Sequence, residues 1–179
     1  ETVQISNQIM GLFWVVNAGI ATACAIMLGN KLGENDIELA KKWGAKFTKL
    51  SFFAGLILGA TLFATSGAIS SAFQNVSGTV QNDIRLTLMI FSFFIPIKFV
   101  NALQIIGTLR AGGDTRYAMF SEMLPLWLIG VPMAFILSIF TDLPVFLIMA
   151  IVNIEEIIKL IFVLKRFFSY KWAQNLTEQ

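Results

Sequence analysis

The stretch Phe93–Gln104, FFIPIKFVNALQ, places a proline and a lysine inside a long apolar run. Neither residue is easily tolerated in the middle of a helix surrounded by hydrocarbon. What surrounds the stretch decides how to read it. The chain is 56% hydrophobic and only 13% charged, with 17 phenylalanines and 4 tryptophans and a mean hydropathy of +0.75. Soluble domains carry about a quarter charged residues, so this chain has too few to cover a water-facing surface. Its solvent is lipid.

Five apolar segments can each cross a bilayer, which takes about 20 helical residues. They run over about 4–28, 47–73, 83–110, 117–139 and 143–166, separated by polar or turn-forming connections. Backbone groups in lipid must be satisfied within each span, so the expected fold is all-α, a polytopic membrane bundle of five transmembrane helices. The net charge of +2 gives no nucleic-acid signature, and with no histidine and Cys24 alone, disulfides and the usual zinc sites are excluded.

The basic residues give the bundle a direction. Lys31, Lys41, Lys42, Lys46, Lys49, Arg110, Arg116, Lys165, Arg166 and Lys171 fall on one side, against Arg85 on the other. The positive-inside rule puts the first and third connections and the C-terminus in the cytoplasm. The first residue then lies outside, an arrangement expected if at least one further span precedes it. Asn35 and Glu38 have capping-box spacing. In LRAGGDT, Gly112 is expected to take a left-handed C-cap and Asp114 to cap span four. The tail 167–177 mixes aromatic and basic residues, as a segment lying at lipid headgroups does.

Helical wheels at 100° per residue give span three a polar stripe of Thr87, Lys98, Asn101, Gln104 and Thr108, and span one a stripe of Gln4, Asn7, Gln8, Gly11, Ala18 and Thr22. Such stripes face protein or water rather than lipid. Gly55 and Gly59 form a close-packing pair, GxxxG. Lys98, Glu155 and Glu156 lie near the midpoints of their spans, and Glu122 lies just over one turn inside span four. A charge at that depth costs about 2.5–3.5 kcal/mol, so partners are expected. Lys159 can neutralise Glu155 or Glu156 from one turn away, leaving the other for Lys98. Asn153 beside Glu156 favours Glu156, and either choice stays open. Pro96, Pro125 and Pro132 are expected to bend spans three and four. The candidate substrate and ion pathway is thus Lys98, Asn101, Gln104, Glu122, Asn153, Glu155, Glu156 and Gln8. A buried Lys–Glu pair can equally be a clamp between helices.

The stretches IMGLFWVVNAGIATACAIMLGNKLGENDIELAKKWG, GTLRAGGDTRY, LWLIGVPMAFIL and the closing EEIIK…KRF resemble the C-terminal half of the multidrug and toxic compound extrusion (MATE) family. The resemblance implies a secondary antiporter with twelve helices in two lobes, in the bacterial plasma (inner) membrane. The chain would be the second to sixth helices of the second lobe, its partners being the N-terminal lobe, the first helix of its own lobe, lipid and a drug substrate. There would be no cofactor beyond a transported Na+ or H+. Some branches place an acidic residue in the helix matching 83–110; here that helix carries Lys98, so the family's coupling site is not carried over. A lipid-linked saccharide flippase of the same superfamily and a non-transporting scaffold fragment are the alternatives. An enzyme is disfavoured, because Ser92 is off the Lys98 face and AGGD lacks the first glycine of a GxGD motif.

Overall fold

The computed structural model describes residues 2–73 and 77–174. All regular structure among them is helical: α1 (Thr2–Gly33), α2 (Ile37–Ala72), α3 (Gly78–Ala102) running on into a π-helical segment π1 (Leu103–Leu109), α4 (Thr115–Pro125), a second π-helical segment π2 (Leu126–Gly130), α5 (Val131–Phe140), α6 (Val145–Val152) and α7 (Ile154–Phe168). The five expected spans are present. Four cross a bilayer by length and apolarity as single helices, with α3–π1 and α4–π2–α5 each counted as one. The fifth is α6 and α7, divided by a tightened turn in which Glu156 N–H donates to the Asn153 carbonyl at 3.0 Å. The molecule is a multi-pass membrane helix bundle.

The central helix is α3–π1. Of its most apolar window 61% is buried, against 11–22% for the other three continuous spans. The outer helices present Leu, Ile, Phe and Trp outward, as helices solvated by lipid do. Every buried residue of α2 falls on one stripe stepping by three or four: Ala40, Gly44, Phe47, Ser51, Gly55, Gly59, Leu62, Ser66 and Ser70. Most are small, so α2 lies directly on α3. A methyl at Gly55 would come within 2.7 Å of the Pro96 Cα, and one at Gly59 within 2.5 Å of the Ser92 carbonyl oxygen. Pro96 cannot donate to that carbonyl, and the freed oxygen rests against Gly59. The GxxxG pair therefore serves as the seat of the proline.

The π-helical segments change which residues share a face, since a wider turn advances by less than 100° per residue. π1 begins five residues after Lys98, so Gln104 and Thr108 swing off the lysine's face. Gln104 Nε2 donates to Thr48 Oγ1 at 2.8 Å on α2, and Thr108 Oγ1 lies 3.9 Å from Cys24 Sγ on α1. The second segment, π2, lies between Pro125 and Pro132; its wider turn relieves the clash of the Pro132 ring with the preceding turn.

Several local expectations change. The cap of α2 is Asp36, which accepts from Leu39 N–H at 3.1 Å, while Asn35 takes a left-handed conformation at φ 61° and Glu38 pairs with Lys41 at 2.8 Å. The left-handed glycine of the third connection is Gly113 (φ 79°), not Gly112. Asp114 makes no capping bond and instead accepts from Arg166 Nε at 2.5 Å. The polar stripe expected on span one faces outward: Gln4, Asn7, Gln8, Gly11, Ala18 and Thr22 are all exposed, whereas Thr2, Ser6, Asn17, Ala21, Cys24, Leu28 and Leu32 are buried. Burial on α1 follows close approach to Gly107 of π1, where a methyl would meet the Ala21 carbonyl oxygen at 3.0 Å.

The tail also departs from the headgroup reading. Trp172 is fully buried, stacked on Phe167 at 5.8 Å with the ring planes 10° apart, and its Nε1 donates to the Phe167 carbonyl at 3.0 Å. Gly44 and Gly112 form its seat. Tyr170 and Lys171 stay exposed, and 175–177 lie outside the described residues. These contacts, with Lys41 over the Tyr170 ring at 5.0 Å, gather the first connection, the third connection and the C-terminal segment at one end of the bundle, as the charge distribution requires.

Candidate functional site

Inside the bundle α7 is amphipathic in the sense expected of a membrane helix, with its charges inward. Glu155, Glu156, Lys159, Val163 and Phe167 are buried, while Ile154, Ile157, Ile161 and Phe162 face out. The inward face meets α3 one turn beyond Pro96. Glu156 Oε1 lies 3.5 Å from Lys98 Nζ and 3.5 Å from Lys159 Nζ. Asn101 Nδ2 donates to Glu156 Oε2 at 2.8 Å and also to the Glu156 backbone carbonyl at 2.9 Å. Glu156 thus has two cations on one oxygen and an amide on the other. Glu155 has less: Lys159 Nζ lies 3.7 Å from its Oε1, and its buried Oε2 has no hydrogen-bond partner among the described residues.

A cavity of about 80 Å3 opens beside this cluster, lined by Trp14, Lys98, Asn101, Glu122, Glu156 and Lys159 together with Ala102, Ile105 and Ile106. Glu122 faces it from α4 and lies 3.9 Å from Arg110 in a half-exposed pair. Against the other side of Lys98 a void of about 10 Å3 is lined by Asn17, Met10, Phe13, Trp14, Ile95 and Phe99. That is close to the least space that holds one water. Asn17 is 1% exposed, and neither its Nδ2 nor its Oδ1 has a hydrogen-bond partner among the described residues.

Of the residues expected along the pathway, Lys98, Asn101, Glu122, Glu155 and Glu156 come together. Gln104 is turned toward α2, and Gln8 is exposed on α1. Asn153 is buried where α6 meets α7, its side chain donating to the Met149 carbonyl at 2.7 Å. Pro96 is packed against α2, and Pro125 and Pro132 bracket π2. Sequence reasoning missed Trp14 and Asn17 as lining residues. Their signal was available: Asn17, Ala21, Cys24, Leu28 and Leu32 step by three or four, and Asn17 is the polar member of that face.

The family model for MatE matches residues 2–136, three quarters of the chain. The chain belongs to the MatE family. Among curated relatives, it is 26% identical over 142 residues to the probable multidrug resistance protein NorM of Rhodopseudomonas palustris, covering 78% of this chain and 30% of that protein. It is 23% identical over 142 residues to multidrug resistance protein MdtK of Photorhabdus laumondii, covering 76% of this chain and 29% of that protein. A NorM of Halalkalibacterium halodurans matches at 22% identity over 140 residues, again 78% of this chain and 30% of that protein. The chain spans about 30% of the length of the curated relatives it matches. No solved structure matches it. The matched region takes in α1 to π2 and the first part of α5; the charge-bearing α7 lies wholly outside it.

Proposed function

We propose that the chain is part of a secondary antiporter that exports amphipathic cationic drugs in exchange for H+ or Na+, with the Lys98–Glu156–Lys159 cluster at its membrane-embedded site. The observation that carries this reading is a hydrogen-bonded charge cluster, deep in an apolar bundle, opening on a cavity. Ionisable residues held at that depth mark ion and substrate pathways in transporters, and the relatives are named as multidrug resistance proteins. The pairing of Lys98 with Glu156 bears on the flippase alternative: an unpaired lysine would present a free positive charge to an anionic headgroup, whereas here the charge is met. The paired arrangement supports a cationic substrate.

In this reading the outward polar face of α1, from Gln4 to Thr22, meets the companion lobe. The end holding Arg110, Arg166 and Lys171 is cytoplasmic, and the membrane is the bacterial inner membrane. Lys98, Glu156, Asn101 and Glu122 orient the substrate and its exchanged ion, while the proline-bracketed π2 and Pro96 supply the bends that alternating access needs.

The test is uptake of a fluorescent cationic dye into liposomes holding the transporter that carries this chain, under an imposed sodium or proton gradient. Dye movement that follows one gradient and collapses in correctly inserted Lys98→Gln and Glu156→Gln variants is the expected result. Normal transport by both variants would reduce the cluster to a clamp, and no movement by the unsubstituted protein under either gradient would refute drug antiport.

A further inference from the structure

We propose that Glu155, not Glu156, is the proton-binding carboxyl of the cluster, and that its proton is sensed by the π2 segment through Gly130. The inference deepens the antiporter reading, and its substrate-coupling half rests on that reading. Two adjacent carboxylates share one face of α7, but their surroundings differ sharply. Glu156 is met by two ammonium groups at 3.5 Å each and by the Asn101 amide at 2.8 Å. Three donors thus converge on one carboxylate, as in a charge-assisted hydrogen-bonded cluster. Glu155 has part of one ammonium, Lys159 at 3.7 Å on Oε1, and the residue is 7% exposed.

Its other oxygen, Oε2, is buried without a hydrogen-bond partner among the described residues. That oxygen rests on bare backbone: a methyl at Gly130 would come within 3.3 Å of it and 3.5 Å of a Leu126 methyl. The charged and titratable groups facing the cluster are Glu156 and Lys159 on α7, Lys98 on α3 and Glu122 on α4. Within π2 (Leu126–Gly130) and α6 (Val145–Val152) there is no ionisable side chain. A buried carboxylate oxygen facing apolar groups and a glycine is most simply satisfied by a proton, which needs no cavity. A sodium ion would need several oxygen ligands around it, whereas the position of π2 set against Oε2 is Gly130, which has no side chain to offer one.

The charge count turns this into coupling. With Glu122 offset by Arg110 at 3.9 Å, and Glu155 ionised, the charges of Lys98, Lys159, Glu155 and Glu156 sum to zero. With Glu155 protonated the cluster carries one positive charge and repels a cationic amphiphile from the cavity that Lys98 and Lys159 line. On substrate entry the O–H bond of Glu155 breaks, the electron pair stays on Oε2, and the proton passes to bulk water. Proton and substrate then exclude each other, as antiport requires.

Infrared difference spectroscopy of the transporter that carries this chain, in lipid nanodiscs, between acidic and alkaline buffer, reads the carboxyl C=O stretch directly. The expected result is a buried-carboxyl band that disappears in Glu155→Gln and persists in Glu156→Gln and Glu122→Gln. Gly130→Ala is expected to shift the band's frequency without removing it. A band that survives Glu155→Gln, or one lost in Glu122→Gln, overturns the assignment; should Glu156→Gln fail to fold, the other three variants still decide it. A second arm measures protons released in weak buffer when the same dye binds. Release by the unsubstituted transporter supports coupling; Glu155→Gln, a neutral mimic of protonated Glu155, is expected to bind the cationic dye more weakly and to release no proton at dye concentrations that still load it, and release that persists in Glu155→Gln refutes coupling. If no dye binds to the unsubstituted transporter, the drug reading and the coupling step fail together, while the infrared band still decides where the proton sits.

Discussion

Replacing Glu156 with glutamine removes the carboxylate on which two ammonium groups converge. Both Nζ atoms lie 3.5 Å from the same oxygen, so they can be no more than 7 Å apart, twice that distance. At an effective dielectric of about 20, two unit charges at that separation repel by about 2 kcal/mol. In the intact protein the repulsion is more than offset by the shared anion; in Glu156→Gln it is not. Breaking a buried pair by removing one partner costs about 3–5 kcal/mol. The lower end is expected here, because Lys98 keeps 24% of its side chain accessible and Lys159 retains Glu155 at 3.7 Å. The informative variant is the double one. Adding Lys98→Met to Glu156→Gln removes the stranded charge, so the double variant is expected to regain about 2 kcal/mol over Glu156→Gln alone, and the coupling in a double-mutant cycle is that gain plus the cost of Lys98→Met alone. The assay is the thermal midpoint of the chain in nanodiscs, followed by tryptophan fluorescence, to which Trp14 at the cavity wall contributes. If the double variant is less stable than Glu156→Gln by the full cost of Lys98→Met alone, the two residues do not interact and the shared-anion argument is wrong.

Other expectations can be checked in the same preparation. Gly59→Ala drives a methyl to 2.5 Å from the Ser92 carbonyl oxygen and is expected to cost about 1–3 kcal/mol; Gly67→Ala, whose nearest neighbour is the Arg85 side chain at 3.9 Å, should show little loss, and equal midpoints for the two would refute the close-packing account. Trp172→Ala should cost about 3–5 kcal/mol as a fully buried aromatic truncated, with Trp172→Phe losing only about 1 kcal/mol for the bond to the Phe167 carbonyl; a neutral Trp172→Ala would mean that the indole lies in the headgroups after all. Lys41 holds the exposed Glu38 carboxyl below its ordinary range by hydrogen bond and charge. The pair's contribution is therefore complete above that range and fades as pH falls through the lowered value. A peptide spanning 36–50 should lose helix on that descent, and Glu38→Gln should abolish the change.

The number, order and approximate limits of the spans were legible because lipid imposes one rule, continuous apolar length, that composition reports directly. The cluster was legible in part for a related reason: Lys98, Glu155 and Glu156 are conspicuous against an apolar background. The failures have a common cause in helix phase. A wheel at constant 100° assigned Gln104 and Thr108 to the Lys98 face, and π1 rotates them onto α2 and α1. The wheel on α1 found the more polar face but could not tell which face α1 turns to π1, since that depends on Gly107, far along the chain. Trp172 read as a headgroup anchor because an aromatic among basic residues looks the same whether it meets lipid or a socket built from Gly44 and Gly112.

The inward charges of α7 also bear on how the protein is made. Between residues 145 and 168 there are 16 Ile, Leu, Val and Phe residues, together favouring entry into the bilayer by about 5–10 kcal/mol on insertion scales. Glu155, Glu156 and Lys159 together oppose it by about 8–10 kcal/mol on the same scale. The two sums nearly cancel, so the last segment has little tendency to leave the translocon for lipid unaided. Lys98 and Asn101, synthesised more than fifty residues earlier, must already be waiting in the membrane to receive it. Final integration of the nascent chain is thereby tied to the presence of a folded predecessor, and a ribosome-bound intermediate lacking α3 should leave its last segment stranded in the translocation channel.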